Sequence, residues 1–236
     1  MSSTAAFPRS LKSRITLGVL GVFLLILWTL SFLASQMLRK DMERMLGEQQ
    51  FSTVSTMAAS IQSDLTLRYE ALERTARVLA DHMQNGKVLQ TVLEQHTALP
   101  SLFNGGIIVY GPDNTGIAAV PVLGQVGIDY SDRDSVVAAN REGKSSVSRP
   151  AIGKTLRAPS FLMTVPVRND YGDVIGALSG VVHLQRANFL GHLTGNHYGK
   201  TGGFLLVSAK HRMIITGTDT TRIIGFSTER RVRWFT

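Results

Sequence analysis

The chain has 236 residues, 44% apolar and 18% charged, with no cysteine and a formal net charge of +8. That composition buries a core and excludes a disordered chain, and the length allows one large domain or two small ones. The missing cysteines exclude a disulfide framework, thiolate metal sites and a Cys nucleophile. The basic residues are scattered, apart from Arg222, Arg230, Arg231 and Arg233 near the end, so nucleic acid is not expected as a partner.

Ile15 to Ala34 form an unbroken run of twenty uncharged residues. At about 1.5 Å per residue a helix there covers roughly the 30 Å of bilayer hydrocarbon. Arg9, Lys12 and Arg14 precede the run without any acid, whereas Arg39, Lys40 and Arg44 after it are diluted by Asp41 and Glu43. Positive flanks stay in the cytoplasm, which places residues 1–14 inside and the bulk of the chain outside the inner membrane of a bacterium. A cleaved signal peptide is the rival reading. Its apolar core is shorter, about 7–15 residues, and Phe32 stands where a small residue is wanted for cleavage after Ala34.

From 35 to 84 the sequence has no proline and one glycine, Gly47. Phe51, Val54, Ala58, Ile61, Leu65, Tyr69, Leu72, Ala76, Leu79 and Met83 recur at steps of three or four, one face of a helix. Such a helix would extend roughly 75 Å. The spacing predicts packing on a sheet over part of its length and on a twin helix over the rest, hence a homodimer. Asn85-Gly86 is read as a break, and a shorter helix is predicted over 88–96.

The pattern then changes to strands. Gly106–Tyr110 and the run ending at Val120 flank the turn cluster Gly111–Gly116. Within 129–140 a helix is predicted with Asp132 as N-cap, and 146–152 reads as one strand. Ser160–Val167 and Asp173–Leu184 around Asn169–Gly172 form the clearest hairpin, with Pro166 marking an edge position or bulge. A helix is predicted over 185–193, then a second hairpin, 204–207 with 213–216. Hairpin-linked strands with helices on one side give an α+β fold.

Ile128–Asp134 (IDYSDRD), Gly143-Lys144, Val147–Pro150, Val165–Val167, Gly172, Gly176 and Gly180–Leu184 together resemble the double Cache sensor domain. The resemblance covers about Met37 to Thr218. It implies a transmembrane helix (15–34), a long extracytoplasmic helix (35–84), a PAS-like antiparallel module (85–195) that holds a small ligand, and the start of a second such module (196–225). Lys200 to Asp219 is similar to sensors attached to GGDEF diguanylate cyclases, and also to those of histidine kinases and chemoreceptors. The sequence departs from the family plan in having no second apolar span and no output domain. The basic segment 226–236 does not continue the second module, which is expected if the terminus is truncated or frame-shifted.

The resemblance also implies a site. Arg133 stands where the family places an anion-binding Arg, whose fork suits a carboxylate; an ion pair with Asp129 or Asp132 is the plainer role for it. Tyr110 and Tyr130 are candidates to line the pocket. Phe161 and Met163 share one strand face and Ser160, Leu162 and Thr164 the other, and either face can be the ligand face. In the amino-acid-binding subset an Asp near the end of the last strand receives the ligand ammonium. Here His183 stands there, a poor acceptor for an ammonium, so a small organic carboxylate is expected rather than an α-amino acid. His183 is otherwise an ordinary half-buried strand residue, or a group that makes binding depend on pH.

No cofactor, metal or catalytic role is expected. Gly143-Lys144-Ser145, Gly153-Lys154-Thr155 and Gly199-Lys200-Thr201 each lack the upstream Gly of a phosphate loop, holding Ala138, Ser148 and Thr194 instead, and read as turns. His192 and His197 miss the zinc-helix spacing, the Asp129–Asp134 cluster misses the calcium-loop spacing, and Ser179 sits one place late for a nucleophile elbow. The expected function is a membrane-anchored sensor module, the input part of a receptor. The alternatives are a membrane-anchored hydrolase using Ser179 or His183, and a scaffold whose long helix only dimerises.

Overall fold

The computed structural model describes residues 11–95, 98–191, 203–208 and 213–218. The chain divides into two units, Met1–Thr56 and Met57–Thr236, and the boundary falls inside the first helix, α1 (Leu11–Ala80). In the first unit every residue from Arg14 to Ser52 is exposed, including the whole apolar run. This is the one described helix long and apolar enough to cross a membrane.

In the second unit the predicted apolar face is real from Ile61 onward. Leu72, Ala76 and Leu79 are buried, with Ile61, Leu65, Tyr69 and Met83 packed beside them. Arg68 is also buried; it reaches the Leu102 carbonyl and lies 3.9 Å over the Phe189 ring, so α1 is tied to the turn after the last long strand. The helix ends at Ala80, short of the expected Gln84. The chain is broken between the two helices as expected, and Asn85 also starts the next one: its Oδ1 accepts from the Val88 N–H and its carbonyl from Leu89 N–H, opening α2 (Gly86–Gln95). A short α3 (Ala98–Leu102) follows.

The strands are β1 (Ile107–Tyr110), β2 (Gly116–Val120), β3 (Ser146–Val147), β4 (Ala151–Ile152), β5 (Pro159–Arg168) and β6 (Val174–His183), with α4 (Asp134–Glu142) between β2 and β3. They form one antiparallel sheet ordered β2-β1-β6-β5-β3, with β4 also on β5. The β5–β6 hairpin runs in register from Ser160↔His183 to Val167↔Gly176. The expected strand over 146–152 is broken in two at Ser148, whose N–H still donates to Leu162 O while Leu162 N–H donates back to the Ser148 side-chain Oγ. β3 reaches only Thr164, so Pro166 faces a partner on the β6 side alone, the edge position its missing N–H requires.

Helices cover one face: α1, α2 and α3 pack against Ile107, Val109, Phe161, Met163, Leu178 and Val182. The other face carries Ile108, Tyr110, Leu162, Ala177 and Val181 under Val136 and Ala139 of α4. Both faces are therefore buried, and the strands read as continuous apolar runs. The helix predicted over 185–193 is instead a turn through Leu190. Asn104 donates to the carbonyls of His183 and Ala187, and Asn188 Oδ1 accepts from Leu190 N–H; positions 192 and 193 lie outside the described residues. The second hairpin is present as β7 (Leu205–Ser208) and β8 (Met213–Gly217), a separate two-stranded sheet. The basic tail lies outside the described residues.

Candidate functional site

Two loops meet over the α4 side of the sheet. The first, 129–133, is anchored by a bridge from Thr115 to Asp129 and by Tyr130 N–H donating to Asn114 O at 3.0 Å. Asp129 Oδ1 accepts from Ser131 N–H at 2.8 Å, which turns the chain so that Tyr130 is buried and Arg133 stands at the N-cap of α4. The Arg133 side chain offers no cap, and Asp132, the expected N-cap, is turned to other partners. Hydrogen bonds from Ser131 hold the Asp129 carboxyl below its ordinary value, with Lys154 adding to the effect.

The second loop joins β4 to β5. Gly153 N–H donates to Ala158 O and Arg157 N–H to Gly153 O, both at 2.9 Å, and Arg157 takes φ +48°. The two loops exchange cations. Arg133 Nη2 donates to Ile152 O at 2.8 Å, and Lys154 Nζ crosses to the Asp129 carbonyl, 5.2 Å from the centre of the Tyr130 ring. Asp132 receives both, with Oδ1 2.7 Å from Lys154 Nζ and Oδ2 3.5 Å from Arg133 Nε.

Beneath these contacts lies a cavity of ≈ 30 Å³, room for about two water molecules. Tyr130, Arg133 and Lys154 line it with Ile108, Leu156 and Leu162, and no Asp or Glu is among the described residues that do. Gly105 is part of its wall. A Cβ there would fall 2.7 Å from Val181 Cγ1 and 2.8 Å from Val181 O, so only glycine lets the chain approach β6 this closely. Behind the cavity, Ser135 Oγ, Thr164 Oγ1 and Ser179 Oγ form a buried hydroxyl chain at 2.8 and 2.7 Å.

The Tyr110 and Tyr130 rings meet edge to face at 5.1 Å, and neither buried phenol has a hydrogen-bond partner of good geometry. Burial pushes both hydroxyls above their ordinary value. The nearby Arg133 charge offsets part of this for Tyr130, and the Ser179 hydroxyl, already engaged with Thr164, offsets part for Tyr110.

Of the sequence candidates, Tyr130 and Arg133 reach the cavity and Tyr110 stands one ring behind. Phe161 and Met163 do not: they face α1, because Ser160, Leu162 and Thr164 take the cavity side of β5. His183 shares that side but lies beyond the lining, its Nδ1 accepting from Gln185 N–H at 3.1 Å. Burial, then the Arg186 charge, holds its imidazole below the ordinary value. The expected ion pair of Arg133 with Asp132 is present. Lys154 was legible only as part of a Gly-Lys-Thr turn; a turn it is, and its lysine is what reaches the site.

A sheet covered by helices on one face and bearing a loop-roofed cavity on the other is an architecture that solved structures share. The chain has the double Cache fold, with solved ligand-binding domains of chemoreceptors as its structural neighbours. That of Pseudomonas aeruginosa PAO1 PctB in complex with L-Gln matches at 23% identity and TM-score 0.59, over 72% of this chain and 68% of the other. That of Pseudomonas fluorescens CtaA with L-alanine matches at 21% and 0.60, over 72% and 71%. That of Mlp24 with asparagine matches at 20% and 0.59, over 75% and 72%. No protein-family model matches the sequence, and no curated protein does.

Proposed function

We propose that this chain is the membrane-anchored, extracytoplasmic sensing part of a signal-transduction receptor, and that it takes a small organic carboxylate at the Arg133–Lys154 cavity. One observation carries the reading: two cations, held by Asp132 from outside the lining, and a buried phenol without a partner converge on a cavity whose described lining holds no acid. A carboxylate satisfies those donors, and Ile108, Leu156 and Leu162 suit a short aliphatic body.

In this reading 15–34 cross the inner membrane, 85–195 form the ligand module outside it, and 196–225 begin a second module. The exposed apolar positions Phe51 and Val54 meet a second copy, which makes a homodimer. Ligand binding then favours one packing of the paired helices over another. The resemblance of 200–219 points to diguanylate cyclase output; the chemoreceptor neighbours point to chemotaxis signalling instead.

The neighbours' complexes raise an α-amino acid as a second reading. An ammonium needs an acceptor, and no carboxylate is among the described lining: Gln125 Oε1 and Ser148 Oγ already accept from Leu123 N–H and Leu162 N–H, and the phenol oxygen of Tyr130 is a weaker acceptor than a carboxylate. The test is a melting-temperature screen of the full chain in detergent micelles with propionate, succinate, L-alanine and L-glutamine. A carboxylate at a hundredfold excess over its Kd should raise Tm by about 5–10 °C, and Arg133→Ala should remove the shift. Shifts with the amino acids alone, or with none of the four, overturn the proposal.

A further inference from the structure

Asp132 has a position that the sensing role alone does not require. Its two carboxylate oxygens hold the two cations of the cavity, Lys154 from the β4–β5 loop and Arg133 beside it in the chain. Lys154 also gives a hydrogen bond to the Asp129 carbonyl, and Arg133 gives one to the Ile152 carbonyl. Each loop is thus strapped to the other by a charge whose neutralising partner is Asp132. Together the straps leave a space of ≈ 30 Å³, room for about two waters.

We infer that Asp132 is an internal competitor, a carboxylate of the chain that occupies the cation pair until a ligand carboxylate displaces it. The inference rests on reading this cavity as an anion site. Both the incoming and the resident group are carboxylates, so exchange at the two cations conserves charge pairing at the site. The displaced Asp132 side chain is about half exposed, and water receives it at little cost. Losing Asp132 frees Lys154 from one of its two anchors on the 129–133 loop, and the β4–β5 loop can then lift to make room. Ligand affinity is thereby set below what the cations alone would give, and occupancy is coupled to the opening of one loop.

The experiment measures propionate and succinate affinity by calorimetry on the full chain in micelles, for the native sequence, Asp132→Asn and Asp129→Asn. Asp129→Asn removes the same charge from the same loop while its amide oxygen still accepts from Ser131, and its carboxylate feels Lys154 only through its field, the ion pairs of both cations being with Asp132. Asp132→Asn should tighten binding about fivefold, since a half-exposed carboxylate competes only weakly, and Asp129→Asn less than twofold. Should Asp132→Asn unfold, Asp132→Ser serves in its place. Weaker or unchanged binding by the Asp132 variant, with the native chain binding, overturns the inference and leaves the anion site standing. Equal tightening by both variants also overturns it, assigning the effect to the general field. Binding by neither the native chain nor the Asp132 variant overturns both readings.

Discussion

On β6, Leu178, Gly180 and Val182 face the helices, while Ala177, Ser179 and Val181 face α4 and the cavity. The first set lies in the apolar core under the helices, Phe103 filling the space above Gly180 so closely that a Cβ there would lie 2.3 Å from its ring. The second set mixes methyl groups with a hydroxyl chain, two unpartnered phenols and two cations. Stability on the helix side comes from area and close packing, which have no direction. The cavity side depends on hydrogen bonds and charges, which do. One strand, alternating every residue, separates the packed face from the face of the proposed ligand cavity.

The largest test of that separation is Leu178→Ala. Leu178 is fully buried on the helix side. The truncation should cost about 2–5 kcal/mol in urea denaturation, from lost transfer energy and a residual cavity. Carboxylate affinity of the folded fraction should stay within about twofold. A change in affinity as large as that of a cavity residue would show that the two faces are not independent.

Thr164→Val probes the opposite face with a smaller effect. Its hydroxyl is the middle member of the chain joining Ser135 of α4 to Ser179 of β6. The variant keeps the shape and leaves two buried hydroxyls each without this partner, a cost of about 1–3 kcal/mol. Thr164→Ser should recover most of it. A Val variant as stable as the native chain would mean that the chain contributes packing alone, and the contrast between the faces would blur.

Much of the scaffold was legible because it follows from periodicity. The three-four spacing of Ile61 to Leu79, the turn cluster Gly111–Gly116 and the Asn169–Gly172 hairpin are local signals, and each formed what it predicted. The site was less legible because it is assembled from a distance. Tyr130 and Arg133 lie in a motif, but Lys154 comes from another loop, and nothing local says that it reaches Asp132. Which side of β5 faces the cavity depends on where α4 packs, so Phe161 and Met163 were as eligible as Ser160 and Leu162. The turn at 185–190 replaced a predicted helix because Asn104, some eighty positions earlier, holds the His183 carbonyl at its start and the Ala187 carbonyl within it.

The smallest effect belongs to His183, at the cavity-side end of β6. Its Nδ1 accepts a hydrogen bond from Gln185 N–H, so that nitrogen is unprotonated in the native state, and burial and Arg186 both oppose adding a proton. The unfolded chain binds a proton at the ordinary value of 6.5, while the native chain does so only at lower pH. Between those two values the unfolded state carries more protons, so stability rises with pH there. The contribution is complete above about pH 6.5–7 and is lost as the pH falls through the depressed native value. His183→Asn keeps an acceptor near Nδ1 and does not titrate. Its melting temperature should therefore fall less than that of the native chain between pH 7.5 and 5, by a margin smaller than the Thr164→Val loss. Parallel pH profiles for the two proteins would remove His183 from the account. A change in carboxylate affinity with the variant at pH 7.5 would draw the boundary of the site further along β6 than the cavity lining does.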